Sequence, residues 1–298
     1  MDAPTRQEVR SLLRVEPSNT KVSGASWGRR HGAIDGVMIR ALTLLRDGAD
    51  AIPCLFLTPA SPPPWRAVVA VHQHNDEYHL GKSEPAGIVG SGRMRYGLKL
   101  ARRGIAVVIP DLVGFEERRG PWPSDREFEQ FVTMNLLAEG SSLQAKHVED
   151  VLSAISWLDS YSDVEGPFGM MGHSLGGQVT FFAAACDERI SAAVMSCGFG
   201  SIESFKTMNV LHNPGWYVPD ILQFGGTAAI ASVFENQSAL VSAGTDDVYF
   251  PLWGVRDAFT GFTPGVARLS VFDGVHGLLP TELKLSVGWL TAQLSRSP

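Results

Sequence analysis

The stretch Phe168-Gly169-Met170-Met171-Gly172-His173-Ser174-Leu175-Gly176-Gly177 restricts what this chain can fold into more than any other. A short apolar run breaks into Gly-x-Ser-x-Gly, and the apolar segment from Gln178 to Ala185 follows at once, reading as a buried helix. That succession predicts a strand, a sharp turn and a helix. The serine hydroxyl stands proud of the sheet, and glycines two before and two after leave room for the bend. The helix aims its N-terminus at the turn, which leaves the backbone N–H of Leu175 free for a developing oxyanion. A second match, Gly24-Ala25-Ser26-Trp27-Gly28, lacks this setting: polar residues precede it, and Gly28-Arg29-Arg30-His31-Gly32 does not begin a helix.

Elsewhere the pattern supplies the rest of a sheet. Val37 to Leu45 and Ile52 to Leu57 carry apolar residues at strand spacing around Arg46-Asp47-Gly48-Ala49-Asp50, predicting a hairpin at one sheet edge. Ala67 to Val71 and Ile105 to Ile109 are uniformly apolar, as in strands covered on both faces. Gly92 to Arg103 has helical character, and Leu136 to Ser160 contains a long helix with Val148, Val151, Leu152, Ile155 and Leu158 spaced by three and four. Ile190 to Cys197, Ser238 to Gly244 and Ala267 to Phe272 read as strands, with one helix closing at Phe259 and another from Thr281 to Leu294. Buried strands alternating with helices predict an α/β fold, a doubly wound, mostly parallel sheet with helices on both faces. Residues 1–33 read as a peripheral arm. Residues 34–298 form a single domain, with about 200–235 inserted as a small cap.

With 298 residues, 44% of them hydrophobic, the chain has ample core for one domain. The net charge of −6 and the absence of a Lys/Arg-rich run argue against a nucleic-acid partner. No stretch approaches the ~20 apolar residues that span a bilayer, and Met1 to Glu8 lacks a signal-like pattern, so no membrane association and a cytoplasmic location are expected. Cys54, Cys186 and Cys197 are odd in number and unpaired in spacing, as buried thiols would be. Oligomeric state is left open.

A sheet of this kind places its sites at the carboxyl ends of its strands. Four such ends carry reactive side chains: His72-Gln73-His74-Asn75, Ser174, Asp246-Asp247 and His276. A serine hydroxyl is a poor nucleophile at neutral pH and needs a base oriented by a carboxylate. Among eight histidines, His276 alone follows the final strand and precedes the final helix. Serine, acid and histidine then occur in the chain order Ser174, Asp246 or Asp247, His276, with Glu203 a distant third candidate for the acid. His173, beside the serine, is read as structural.

From about Asp35 to Leu294 the chain resembles a serine α/β-hydrolase of the dienelactone hydrolase and acetyl xylan esterase group. Ile109-Pro110-Asp111-Leu112-Val113-Gly114-Phe115 is similar to that group's Pro-Asp-x-x-Gly-Phe/His turn, and Glu139-Gly140-Ser141-Ser142-Leu143 to Leu158 resembles the helix before its elbow strand. Gly244-Thr245-Asp246-Asp247 followed by Pro251 looks like its Gly-Thr-x-Asp turn, which selects Asp247 as the acid. His72-Gln73-His74-Asn75 resembles its His-Gly-x-x loop, with Gln73 in the glycine's place, and implies the N–H of His74 as second oxyanion donor, with Gln73 as fallback. Dienelactone hydrolases proper carry a cysteine nucleophile, so Ser174 favours the esterase branch. The resemblance implies hydrolysis of a small-molecule ester through an acyl-enzyme, without cofactor or metal.

Rival readings are a metal-dependent hydrolase using His72 and His74 with His79, Asp76 and Glu77, a serine peptidase, an acyltransferase, or a binding module on the same fold. The cap holds Trp216, Tyr217 and Phe224, which with Trp122 from the Phe115 to Phe131 excursion are expected to line an apolar acyl pocket beneath a mobile lid. Plain core packing is the competing explanation.

Overall fold

A computed structural model describes residues 3–295. Residues 1–2 of the expected arm and 296–298 of the expected domain lie outside the described residues. Among the described residues there are nine strands, β1 (Gly24–Ile34), β2 (Val37–Leu45), β3 (Ile52–Thr58), β4 (Ala67–Val71), β5 (Ala106–Pro110), β6 (Phe168–His173), β7 (Ile190–Ser196), β8 (Ser238–Gly244) and β9 (Ala267–Phe272). They form one sheet in the order β1-β2-β3-β5-β4-β6-β7-β8-β9. The first three strands run antiparallel to their neighbours, and β5, β4, β6, β7, β8 and β9 are mutually parallel. The α/β architecture therefore stands as expected, with an antiparallel β1–β3 margin.

The helices are α1 (Arg6–Leu13), α2 (Tyr96–Ala101), α3 (Asp125–Ala138), α4 (Leu143–Ser160), α5 (Leu175–Cys186), α6 (Ile202–Thr207), α7 (Gly226–Ala231), α8 (Leu252–Phe259) and α9 (Pro280–Leu294). One face of the sheet packs on α4 and α5, the other on α2 and α9, giving two apolar cores separated by the sheet. The strands between them are apolar on both sides: every residue of β4, β5 and β6 is buried.

Two expectations change. The first is the peripheral arm. Val9 and Leu13 of α1 are 0% and 1% exposed within the larger core. Arg6 donates from Nη1 to the backbone carbonyls of Ala184 and Ala185, and from Nη2 to the backbone carbonyl of Val233 and the side-chain Oε1 of Gln237. Gly24–Ile34 is the outermost strand of the sheet, β1, so the hairpin is not the edge. Its side chains are exposed along almost the whole strand, so no apolar alternation announced it. The second is the excursion after β5, where α3 forms in a stretch read only as an excursion. Its buried positions are Glu129 and Thr133, while Phe131, Met134 and Leu137 face solvent.

Leu13→Ala should lower stability by about 2–5 kcal/mol, the usual cost of emptying a buried leucine site. Urea denaturation measures this, and a change under about 0.5 kcal/mol would mean that α1 is not part of the cooperative unit.

Four buried imidazoles make stability depend on pH. Burial holds His72 and His212 down to about 4 and His147 and His173 to about 3, against an ordinary 6.5. The unfolded chain takes up these protons as pH drops below 6.5 and the folded chain does not, so folding free energy is lost on acidification. Asp111, raised by burial to about 6, acts in the opposite sense and offsets one of the four. The denaturation midpoint should fall between pH 7 and pH 5, each net histidine contributing up to about 1.4 kcal/mol per pH unit. An unchanged midpoint would show that these rings are not refusing protons.

Candidate active site

At the carboxyl end of β6 the chain makes the sharp turn that the sequence called for. Ser174 has φ 54° and ψ −120°, a strained conformation that persists only where its surroundings enforce it. Its N–H donates to the Ser196 carbonyl of β7 at 2.8 Å, and its own carbonyl accepts from Gly177 and Gln178 as α5 begins. At Gly176 a Cβ atom would lie 2.1 Å from the Val71 carbonyl oxygen, so only glycine lets the first turn of α5 sit against the end of β4. The other Gly-x-Ser-x-Gly match lies within β1 as extended chain.

The candidate base, His276, arrives from the loop between β9 and α9. His276 Nε2 is 3.0 Å from Ser174 Oγ, and His276 Nδ1 is 2.8 Å from Asp247 Oδ2. The Asp247 carboxylate is buried and uses Oδ1 to accept the N–H groups of Tyr249 and Phe250 at 2.9 and 3.0 Å. The fixed carboxylate faces Nδ1 and the hydroxyl faces Nε2, the geometry that general-base activation of serine needs, with a proton on Nδ1 and a lone pair on Nε2. Asp246 points elsewhere, accepting from Thr245 Oγ1. Bonds between loops tie the acid turn to the histidine loop, among them Asp246 N–H to the Gly274 carbonyl at 2.9 Å and Gly274 N–H to Thr245 Oγ1 at 3.2 Å. A Cβ at Gly244 would meet the Gly274 carbonyl at 2.4 Å, so glycine is again required where the loops close on each other.

Aromatic rings hold the imidazole. Phe250 stacks on His276 at 5.5 Å and 22°, and Tyr249 meets it edge-on at 5.2 Å. On another side lies His173, whose Nδ1 pairs with Ser196 Oγ at 3.0 Å and whose proton affinity is cut by burial and then by His276. His173 therefore adds no charge beside the base. Neither Tyr249 nor Phe250 was singled out in the sequence, since an aromatic pair after an acid turn looks like ordinary core.

The loop after β4 lies beside the elbow, because Gly176 abuts the carbonyls of both Val71 and His72. Among the described residues, the N–H groups of Leu175, Gln73 and His74 donate to no acceptor, leaving donors on both sides of the turn. His72 is buried, accepting the Leu112 N–H on Nε2 and donating from Nδ1 to the Gln73 carbonyl. His74 accepts the Asp76 N–H on Nδ1 and donates from Nε2 to Glu129 Oε1. Both rings are thus engaged within the loop, each with one nitrogen accepting and the other donating. Among the described residues, the groups with metal-ligand spacing are Cys197, Asp247 and His276, which belong to this site, and Asp111, Glu116 and Glu117, where Lys82 Nζ already lies 2.6–2.8 Å from all three carboxylates. Cys197 remains a thiol, pushed up to about 12 by burial.

The expected pocket residues separate. Trp216 is 2% exposed and packs at 4.7 Å on Phe250, one ring removed from His276, so it is core rather than the underside of a lid. Phe224 is partly buried against the same core. Tyr217 is 43% exposed and Trp122 is 42% exposed, the latter leaning on Phe131 of α3.

Similar proteins repeat this architecture. The acetyl xylan esterase from Paenibacillus sp. R4 superposes with a TM-score of 0.69 at 16% identity, covering 96% of this chain and 92% of its own. A cold-adapted esterase from an Arctic intertidal metagenomic library gives 0.64 at 20% identity, covering 91% of this chain and 100% of its own. YtaP of Bacillus subtilis (strain 168), which carries a provisional hydrolase assignment, is 29% identical over 225 residues, 73% of either chain. The model of the X-Pro dipeptidyl-peptidase (S15) family matches residues 35–231, well over half of the sequence. With its doubly wound sheet and its serine at the elbow, the chain is a serine α/β-hydrolase and belongs to the S15 family.

Proposed function

We propose that this protein is a serine carboxylic ester hydrolase that cleaves small esters through an acyl-enzyme. The observation that carries the reading is the unbroken hydrogen-bond line from Ser174 Oγ through His276 to the buried Asp247 carboxylate. In this reading His276 takes the hydroxyl proton as Ser174 attacks the ester carbonyl, and Asp247 stabilises the imidazolium. The N–H groups of Leu175 and His74 receive the oxyanion. His276 then returns the proton to the departing alcohol and activates the water that releases the acid. The esterase names of the structural neighbours favour this chemistry. The S15 family name favours a second reading, peptide cleavage after an X-Pro dipeptide by the same residues. Within the first reading, Tyr217 and Trp122, exposed in the cap and the α3 excursion, are candidate walls of the acyl pocket, with Trp216 and Phe224 as their backing.

The activity test is a panel of p-nitrophenyl esters of increasing chain length beside acetylated sugars, lactones and an X-Pro p-nitroanilide. Ester turnover is expected to exceed anilide turnover, and the opposite order would select the peptidase reading. Ser174→Ala should remove hydrolysis and labelling by a serine-directed phosphonate while leaving the fold intact, a loss on the order of 10⁴ or more. Asp247→Asn should cost about 10⁴ in kcat and Asp246→Asn less than about threefold. The reverse ranking would move the acid one residue back. Tyr217→Ala should change the preference among acyl chain lengths, whereas Trp216→Ala should act mainly through stability, at about 3–5 kcal/mol.

A further inference from the structure

We infer that Glu129, a buried carboxylate on α3 outside the serine–histidine–aspartate line, is the positioning residue of the oxyanion loop. It clamps the loop through the His74 imidazole and so sets the direction of the His74 N–H. The inference rests on the proposed role of that N–H.

Three features of the loop require such a clamp. Asn75 and Asp76 both have positive φ, 48° and 54°, directly after the residue whose N–H must be aimed. Asn and Asp tolerate the left-handed region better than other non-glycine residues, but two in succession still leave the loop reliant on neighbouring contacts. Gln73 stands where glycine would otherwise have eased the turn. The loop also has no strand partner beyond Val71, so side chains must hold it.

Glu129 meets that need. Its Oε1 accepts His74 Nε2–H at 2.9 Å, and its Oε2 accepts the Tyr78 hydroxyl at 3.0 Å. The other nitrogen of His74 accepts the Asp76 N–H at 3.0 Å, which fixes the tautomer and ties the ring to the strained residue itself. Tyr78 and Phe115 close around the imidazole, at 4.9 and 5.1 Å between ring centres, and stack on each other at 5.2 Å. The carboxylate therefore holds both ends of a five-residue turn, His74 at one and Tyr78 at the other.

The packing of α3 points the same way. Phe131, Met134 and Leu137 of this helix face solvent, while its buried positions are Glu129 and Thr133, the latter donating to the Glu129 carbonyl at 2.7 Å. An amphipathic helix ordinarily docks by its apolar stripe. Here Glu129 and Thr133 are the fully buried positions, flanked by the partly buried Phe128, Val132 and Leu136, so the hydrogen bonds that hold the loop also help to seat the helix.

The test compares Glu129→Ala, Glu129→Gln and Tyr78→Phe in the full-length protein, with p-nitrophenyl acetate as substrate and thermal unfolding as control. Glutamine can still accept from His74 and pair with the Tyr78 oxygen, so Glu129→Gln should keep kcat within about threefold. Glu129→Ala should lower kcat by roughly ten- to a hundredfold with KM within about twofold, because a misaimed oxyanion donor is felt in the transition state and not in ground-state binding. Tyr78→Phe, which removes one of the two bonds, should lower kcat severalfold, also at constant KM. A folded Glu129→Ala protein with near-normal kcat would overturn the inference. So would a Glu129→Gln protein as impaired as the alanine variant, or, should Glu129→Ala fail to fold, an unaltered kcat in Tyr78→Phe. Full activity in Ser174→Ala would instead strike the proposed mechanism, which separates the two failures.

Discussion

The structure depends on one close approach, the first turn of α5 set against the carboxyl end of β4. A side chain at residue 176 would overlap the Val71 carbonyl oxygen, and without that contact the turn at Ser174 opens. The strained backbone of Ser174 is the counterpart of this packing. The two parallel strands β4 and β6, paired from Val68 with Gly169 to Val71 with Gly172, are rigid enough to enforce it. From that junction follow the outward hydroxyl, the free N–H of Leu175 and the proximity of the His72–Asn75 loop.

The remaining site is assembled by loops that fasten to one another rather than to the sheet. Phe250 shows the economy of this. Its N–H holds the Asp247 carboxylate, its ring stacks on His276, and it also meets Trp216 in a tilted pair. Asp247, His276 and the segment around Trp216 are therefore joined through one side chain. A change in the cap core around Trp216 would reach the imidazole through a single packed ring.

Legibility in the sequence followed periodicity and chain order. β8, β9 and the elbow strand are short, apolar and bounded by turns, so their limits could be read residue by residue, and the ends of those strands delivered Ser174, Asp247 and His276. β1 was illegible because an edge strand with solvent on most of its positions has no apolar face to betray it. The α3 helix was illegible for a different reason: Phe131, Met134 and Leu137 face solvent while Phe128, Val132 and Leu136 are partly buried beside the polar Glu129 and Thr133, so apolar side chains lie on both faces and no single stripe marks the core. Glu129 was invisible for the same cause, a carboxylate in an unassigned stretch whose partners lie 51 and 55 residues away. Trp216 was seen as an aromatic in a cap, but composition could not tell a lid from a core.

The outermost strand has a consequence for how the molecule meets others of its kind. An open sheet edge of eleven residues offers unpaired backbone groups to any extended chain, including another copy. Here the edge carries Arg29, Arg30 and His31, and its register with β2 slips twice, between Trp27 and Arg30 and again before Gly32. A strand approaching from outside would have to desolvate guanidinium groups and follow a bent rail. The polar composition that hid this strand from sequence reading thus also disfavours recruitment of a further strand at this edge.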